Sequence, residues 1–161
     1  MARLASVPER RATFREQRRF AALSEPLLSQ GHLLYRRPDY LEKVTDWPSP
    51  EQLVIDGDRL VLTEGNEPPK VVPLGAQPEL RALVEAMRGP LAGDLPALQR
   101  SFEVAGAGDL DAWTLTLTPR DPRATRFLRA VVLTGSGDAI RSIRLTLANG
   151  DEQLMQIGPT T

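Results

Sequence analysis

The sequence predicts an α+β fold: a strongly curved antiparallel sheet forming an unclosed β-barrel, with helices covering the concave face. Three observations carry this expectation. Short segments with a two-residue apolar period recur from Gly31 to the C-terminus, separated by turn dipeptides. Only two long segments carry a helical period. The strict β-α alternation of a parallel sheet is missing. A chain of 161 residues fits one domain, taken as residues 1–161, and can bury a real core.

The first element is expected to be a helix over Val7–Leu23. Pro8 suits a first helical turn and Glu9 favours a helix N-terminus. Leu4, Val7, Phe14 and Ala21 share one helical stripe, and Pro26 ends it. Gly31–Arg37 then alternates, with Leu33, Tyr35 and Arg37 on one face and His32, Leu34 and Arg36 on the other. Pro38-Asp39 is a turn. Tyr40–Trp47 is a strand closed by Pro48-Ser49-Pro50, Gln52–Ile55 is another, and Asp56-Gly57-Asp58 turns it into Arg59–Thr63.

After the loop at Gly65–Pro69, Val71–Leu74 reads as a short strand. Pro78–Leu91 is the second helix, with Leu80, Leu83, Val84 and Met87 on one side. A further helical turn is expected within Gly93–Gln99. Ser101–Val104 pairs with Trp113–Thr118 across the turn at Gly106 and Gly108, which places Trp113, Leu115 and Leu117 on one face. Asp121–Arg126 is a helical turn. Leu128–Thr134 and Ile140–Leu147 form a hairpin over Gly135-Ser136-Gly137-Asp138. Asn149-Gly150 turns the chain into a last strand, Gln153–Ile157.

Composition excludes several functions. There is no cysteine and a single histidine, His32, so thiol nucleophiles, disulfides and Cys/His zinc sites are ruled out. The net charge of −1, from 20 basic and 21 acidic residues, gives no reason to expect a nucleic-acid partner. No run approaches the ~20 apolar residues of a membrane-spanning helix. Ser136 lies between two glycines in a hairpin turn, not in the strand-to-helix elbow that exposes a nucleophile. Gly106-Ala107-Gly108 lacks the third glycine of a dinucleotide site. No catalytic residue, no metal site and no cofactor is expected, and the protein is read as not an enzyme. The first segment carries five arginines against two glutamates, which suits either a solvated face or contact with an anionic surface.

The ordered motifs Gly31-His32-Leu33, Arg37-Pro38, Trp47-Pro48 and Asp56-Gly57 with Leu60 resemble those of the LolA-like lipoprotein carrier family. The likeness is good over roughly the first 65 residues, and beyond them holds in the order of elements. It resembles a divergent paralogue without the usual C-terminal extension. The resemblance implies an unclosed β-barrel whose apolar hollow is covered by helices. It implies a carrier in the periplasm, with any signal peptide already removed, that moves acylated lipoprotein or other lipid-like cargo from an inner-membrane donor toward an outer-membrane acceptor. A monomer is expected.

The resemblance also places Arg37 inside the hollow, where it would latch a helical lid through backbone carbonyls. The cavity is expected to be lined from the sheet by Leu33, Tyr35, Trp47, Leu53, Ile55, Trp113, Leu115 and Leu117, and from the helix by Leu80, Leu83, Val84 and Met87. Two bland readings stay open. Arg37 could sit in solvent if its strand ends at Arg36, and the helix stripe could fill a core. The rival function is a non-catalytic interaction or sensor domain on the same fold.

Overall fold

The computed structural model describes residues 9–20, 22–37, 39–76, 81, 84–86, 88–89, 95–137 and 139–158. They form one unclosed antiparallel sheet of 11 strands. The strands are β1 (Glu9–Arg19), β2 (Leu27–Arg36), β3 (Tyr40–Trp47), β4 (Glu51–Asp56), β5 (Arg59–Glu64), β6 (Lys70–Pro73), β7 (Phe102–Gly108), β8 (Trp113–Pro119), β9 (Leu128–Ser136), β10 (Ala139–Leu147) and β11 (Glu152–Ile157). Their order in the sheet is β6-β5-β4-β3-β2-β1-β11-β10-β9-β8-β7. Two meanders therefore meet at the centre, where the first strand pairs with the last. The edges are β6 and β7. The chain between them carries a 3-10 turn (Leu74–Ala76), helical residues at 81, 84–86, 88 and 89, and a helix (Leu95–Ser101). One further short helix spans Pro122–Thr125, with Asp121 accepting from the Arg123 N–H at its N-cap. Among the described residues no helix is long and apolar enough to cross a membrane.

The first expected helix is corrected. Glu9–Arg19 is a strand bonded on both sides, with Phe14 opposite Gly31 of β2 and Ile157 of β11. Leu4, Val7 and Ala21 of the expected stripe lie outside the described residues. The reason for the difference is chemical. The inward row of β1 is Arg10, Ala12, Phe14 and Glu16, and it holds one large apolar side chain among charged ones. Its period of two is invisible to a hydrophobicity count, while arginine, glutamate and alanine favour a helix locally. Pairing along both edges overrides that preference.

Elsewhere the turn chemistry places the strands well. Gly57 adopts φ 58° between β4 and β5, a conformation that glycine reaches without a Cβ penalty. The register lines up apolar residues on the same face of each meander, on either side of the charged row of β1. Leu60 lies opposite Ile55, Ile55 opposite Leu41, and Leu41 opposite Tyr35. On the other meander Met155 lies opposite Ile143, which lies opposite Leu133, which lies opposite Leu115. These residues pack into a single cluster that also takes Leu74, Val84, Ala86 and Leu98 from the chain between the edges. Each fully buried Leu, Ile or Phe contributes about 1.5–3 kcal/mol, so the cluster is the main source of stability.

Gly31 is the tightest point of the sheet. A Cβ there would overlap the Val44 carbonyl, so β2 and β3 can approach only with glycine at this position. Beside it the pairing shifts: Gly31 faces Thr45, whereas Gln30 faces Trp47. Asp46 is the extra residue of this bulge. Beyond it Trp47 changes face and pairs with the outward row of β2.

Candidate functional site

Among the described residues, two of the polar ties on the apolar face have clearly distinct chemistry. The first lies near its centre. Glu16 of β1 is 1% exposed and Lys43 of β3 is 7% exposed. The Lys43 Nζ donates to Glu16 Oε2 at 2.6 Å, across the width of β2. The intervening residue on that face is Gly31, whose missing side chain leaves the lysine room to cross. On the way the ammonium lies 5.2 Å from the centre of the Phe14 ring, within cation–π range. Arg18 donates to the other carboxylate oxygen at 2.8 Å. Burial alone pushes the Glu16 carboxyl up, but Lys43 and then Arg18 outweigh it and hold the group below its ordinary value of 4.5.

The second tie joins the helical residues to the sheet. Arg88 is 7% exposed. Its Nη1 donates to the Asp39 carbonyl at 2.9 Å and to the Gly57 carbonyl at 2.6 Å. Its Nη2 donates to Glu85 Oε1 at 2.6 Å, one turn earlier. Asp39 and Gly57 sit in the β2–β3 and β4–β5 turns, so one guanidinium clamps two hairpin ends to the helix. An arginine keeps its charge when buried, and such carbonyls and a carboxylate are the partners it needs.

The expected site residues separate into groups. Leu33, Tyr35, Ile55, Val84 and Leu117 are buried in the common cluster, and Leu53, Trp113 and Leu115 pack against it half-buried. Trp47 is 53% exposed, away from them, because the bulge turns it over. β2 ends at Arg36, and Arg37 lies half-buried in the turn that follows. Leu80, Leu83 and Met87 lie outside the described residues. Among the described residues no cluster of three metal-ligating side chains occurs. His32 faces outward, with Nδ1 at 2.7 Å from Asp46 Oδ2.

Sequence reasoning missed Glu16, Lys43 and Arg88. The signals for two of them were present. Arg88 follows Val84 by four residues and so shares its helix face. Lys43 alternates with Leu41 and Thr45. Glu16 carried no signal while β1 was read as a helix.

Trp113 holds the far end of the same face. Its indole lies over Gly135, where an added methyl would overlap the ring, and Nε1 donates to the Gly137 carbonyl at 3.1 Å. Trp113→Phe should lower stability by about 1 kcal/mol. The expected reading is a lower urea midpoint with an unchanged slope.

Two grooves open on the opposite face. One of about 310 Å³ is lined by Arg11, Thr13, His32, Leu34, Glu42 and Val44. The other, of about 420 Å³, runs from Val44 and Asp46 to Gln52 and Thr63.

Residues 1–160 match the family described as outer membrane lipoprotein carrier protein LolA-like. Among solved structures, the chain is similar to a LolA superfamily protein, NE2245, from Nitrosomonas europaea, with a TM-score of 0.51, 10% identity, and 95% of this chain and 85% of the other covered. It is also similar to a DUF1329 family protein from Desulfovibrio piger, with a TM-score of 0.55, 9% identity, and coverage of 99% and 87%. MucB shares the fold at a TM-score of 0.51 and 16% identity, where 99% of this chain spans 56% of that one. No curated protein matches. The structural likenesses show a shared fold, and the match along almost the whole sequence assigns the chain to the outer membrane lipoprotein carrier LolA-like family.

Proposed function

We propose that this LolA-like domain is a periplasmic carrier that shelters acyl chains of a lipoprotein, or of another lipid-like molecule, between the apolar face of its sheet and the helical chain linking the sheet's two edges. One observation supports this above the others. Leu74, Val84, Ala86 and Leu98 of that chain belong to the same apolar cluster as residues from both meanders. A cover that displaces from this face would expose the apolar rows of both meanders, with the buried ions of β1 and β3 between them. Leu53, Val104 and Leu115 already line part of it half-buried. Each methylene of cargo moved there from water contributes about 0.8 kcal/mol, so partition alone supplies the affinity and no covalent chemistry is needed.

The test is native mass spectrometry on protein exported to the periplasm of a Gram-negative host, followed by titration with a fluorescent fatty-acyl probe. An acylated adduct that disappears on denaturation is expected. Leu115→Trp, which fills the sheltered face, should weaken probe uptake. A bare mass together with no probe uptake would end the carrier reading.

The grooves on the opposite face favour a second reading, a non-catalytic interaction or sensor module. In that case Val44→Glu, which places a charge between both grooves, should abolish partner binding while leaving probe uptake unchanged.

A further inference from the structure

The two edges of the open sheet are built differently. β6 has four residues, follows Pro68-Pro69, carries Lys70 and ends on Pro73. Those are the devices that stop an edge from recruiting another strand. β7 has seven residues, Phe-Glu-Val-Ala-Gly-Ala-Gly, without proline, lysine or a shift in its pairing to β8. Residues 105–108 are all exposed.

The hydrogen bonds at either end of β7 fix which of its groups face outward. Arg120 N donates to Ser101 O at 3.0 Å, and Asp109 N donates to Ala112 O at 3.1 Å. In an antiparallel pair the bonded positions alternate, so residues 103, 105 and 107 spend their main-chain groups on β8. The N–H and C=O groups of Val104 and Gly106 point to the open side.

We infer that β7 pairs antiparallel with β7 of a second copy of this chain, about a two-fold axis through Ala105. In this register the strand is complementary to itself. Phe102 faces Gly108 of the other copy, Glu103 faces Ala107, Val104 faces Gly106, and Ala105 faces its own equivalent. Every large side chain meets glycine or alanine. Gly106 leaves a gap over Leu115, whose Cδ2 lies 3.4 Å from where a Cβ would stand, and Val104 of the other copy fills it. Charge agrees with shape. The β7–β8 turn carries Asp109 and Asp111, and the residues flanking the other end of β7 include Arg100 and Arg120. The two-fold axis brings each acidic end to a basic one. It also carries Leu110, 63% exposed, toward the helix Leu95–Ser101 of the second copy. The seam is one strand wide and its side chains are small, so the dimer is weak and concentration-dependent.

Sedimentation equilibrium over a wide concentration range tests this. The wild-type chain should rise from 17.7 kDa toward twice that mass. Ala105 is exposed, and at the axis its replacement meets its own copy at close range. Ala105→Lys and Ala105→Glu should each raise the dissociation constant at least about fivefold. An equimolar mixture of the two should restore association. In the wild-type chain, hydrogen exchange at the Val104 and Gly106 amides should slow as concentration rises. A wild type that stays monomeric, single variants that associate like the wild type, or a mixture no tighter than its components would each overturn the proposal.

Discussion

Lys43→Met should cost about 3 kcal/mol of stability at neutral pH. The substitution nearly keeps the volume of the side chain and removes its charge, with the hydrogen bond to Glu16 and the contact with the Phe14 ring that the charge makes. Glu16, 1% exposed, then retains Arg18 as its one described ionic partner. The loss measures a carboxylate left short of compensation and not the net worth of the pair. Glu16→Leu combined with Lys43→Met should therefore return to within about 1 kcal/mol of the wild type, because a well-packed apolar pair avoids the desolvation of both ions. Urea denaturation of the four proteins closes the cycle. A double variant as unstable as Lys43→Met alone would show that packing, not charge, is at fault.

The same pair sets a pH dependence whose sign is fixed. The folded Glu16 carboxyl lies below 4.5, so its stabilisation is present above that value. It is lost as pH falls through the lowered folded value. With Lys43 removed, burial acts against Arg18 alone and raises the Glu16 carboxyl from its wild-type position. The deficit of Lys43→Met against the wild type should therefore shrink in acid. A deficit that grows in acid would contradict the electrostatic account.

These two residues show where the sequence was readable and where it was not. The hairpins from β2 to β5 and from β9 to β11 follow from turn chemistry, because Asp56-Gly57 and Asn149-Gly150 restrict the backbone wherever they occur. Tyr40–Trp47 appears with the expected bounds. β1 failed because its inward row is charged. Arg10 and Glu16 lie on the apolar face, and a pattern search assigns such residues to solvent. Trp47 failed for another reason. The bulge at Asp46 inserts one residue, and a single inserted residue moves the side chain that follows to the other face. At Arg37 alternation loses its hold, because β2 ends one residue earlier and the turn sets the side chain. The missing information is a tertiary partner: a second pairing edge for β1, a close approach at Gly31 for the bulge, and, at Arg88, two sheet turns that receive a helical arginine.

That arginine gives the second large effect. Arg88→Met should release the helical residues from the β2–β3 and β4–β5 turns at a cost of about 2–3 kcal/mol, since three charge-assisted hydrogen bonds are removed together. The Gly57 carbonyl loses the guanidinium, the Asp39 carbonyl keeps only the Gly57 N–H at 3.4 Å, and Glu85 loses its cation. The effect should be local as well as global. Amide exchange around residues 84–89 should accelerate more than in β9 or β10, because the helix is the less deeply paired body. Arg88→Lys should lie between, since one ammonium cannot copy the planar fork that reaches both turns and Glu85. Comparison with Arg37→Leu separates two latches. The resemblance to carrier proteins puts the guanidinium on the sheet and the carbonyls on the lid. The contacts of Arg88 run the other way, with the guanidinium on the helix and the carbonyls on the sheet turns. If Arg88 is the tie that cargo must loosen, Arg88→Met should speed uptake of an acyl probe and Arg37→Leu should change it less. The opposite ranking would return the latch to Arg37 and leave Arg88 with a purely structural task.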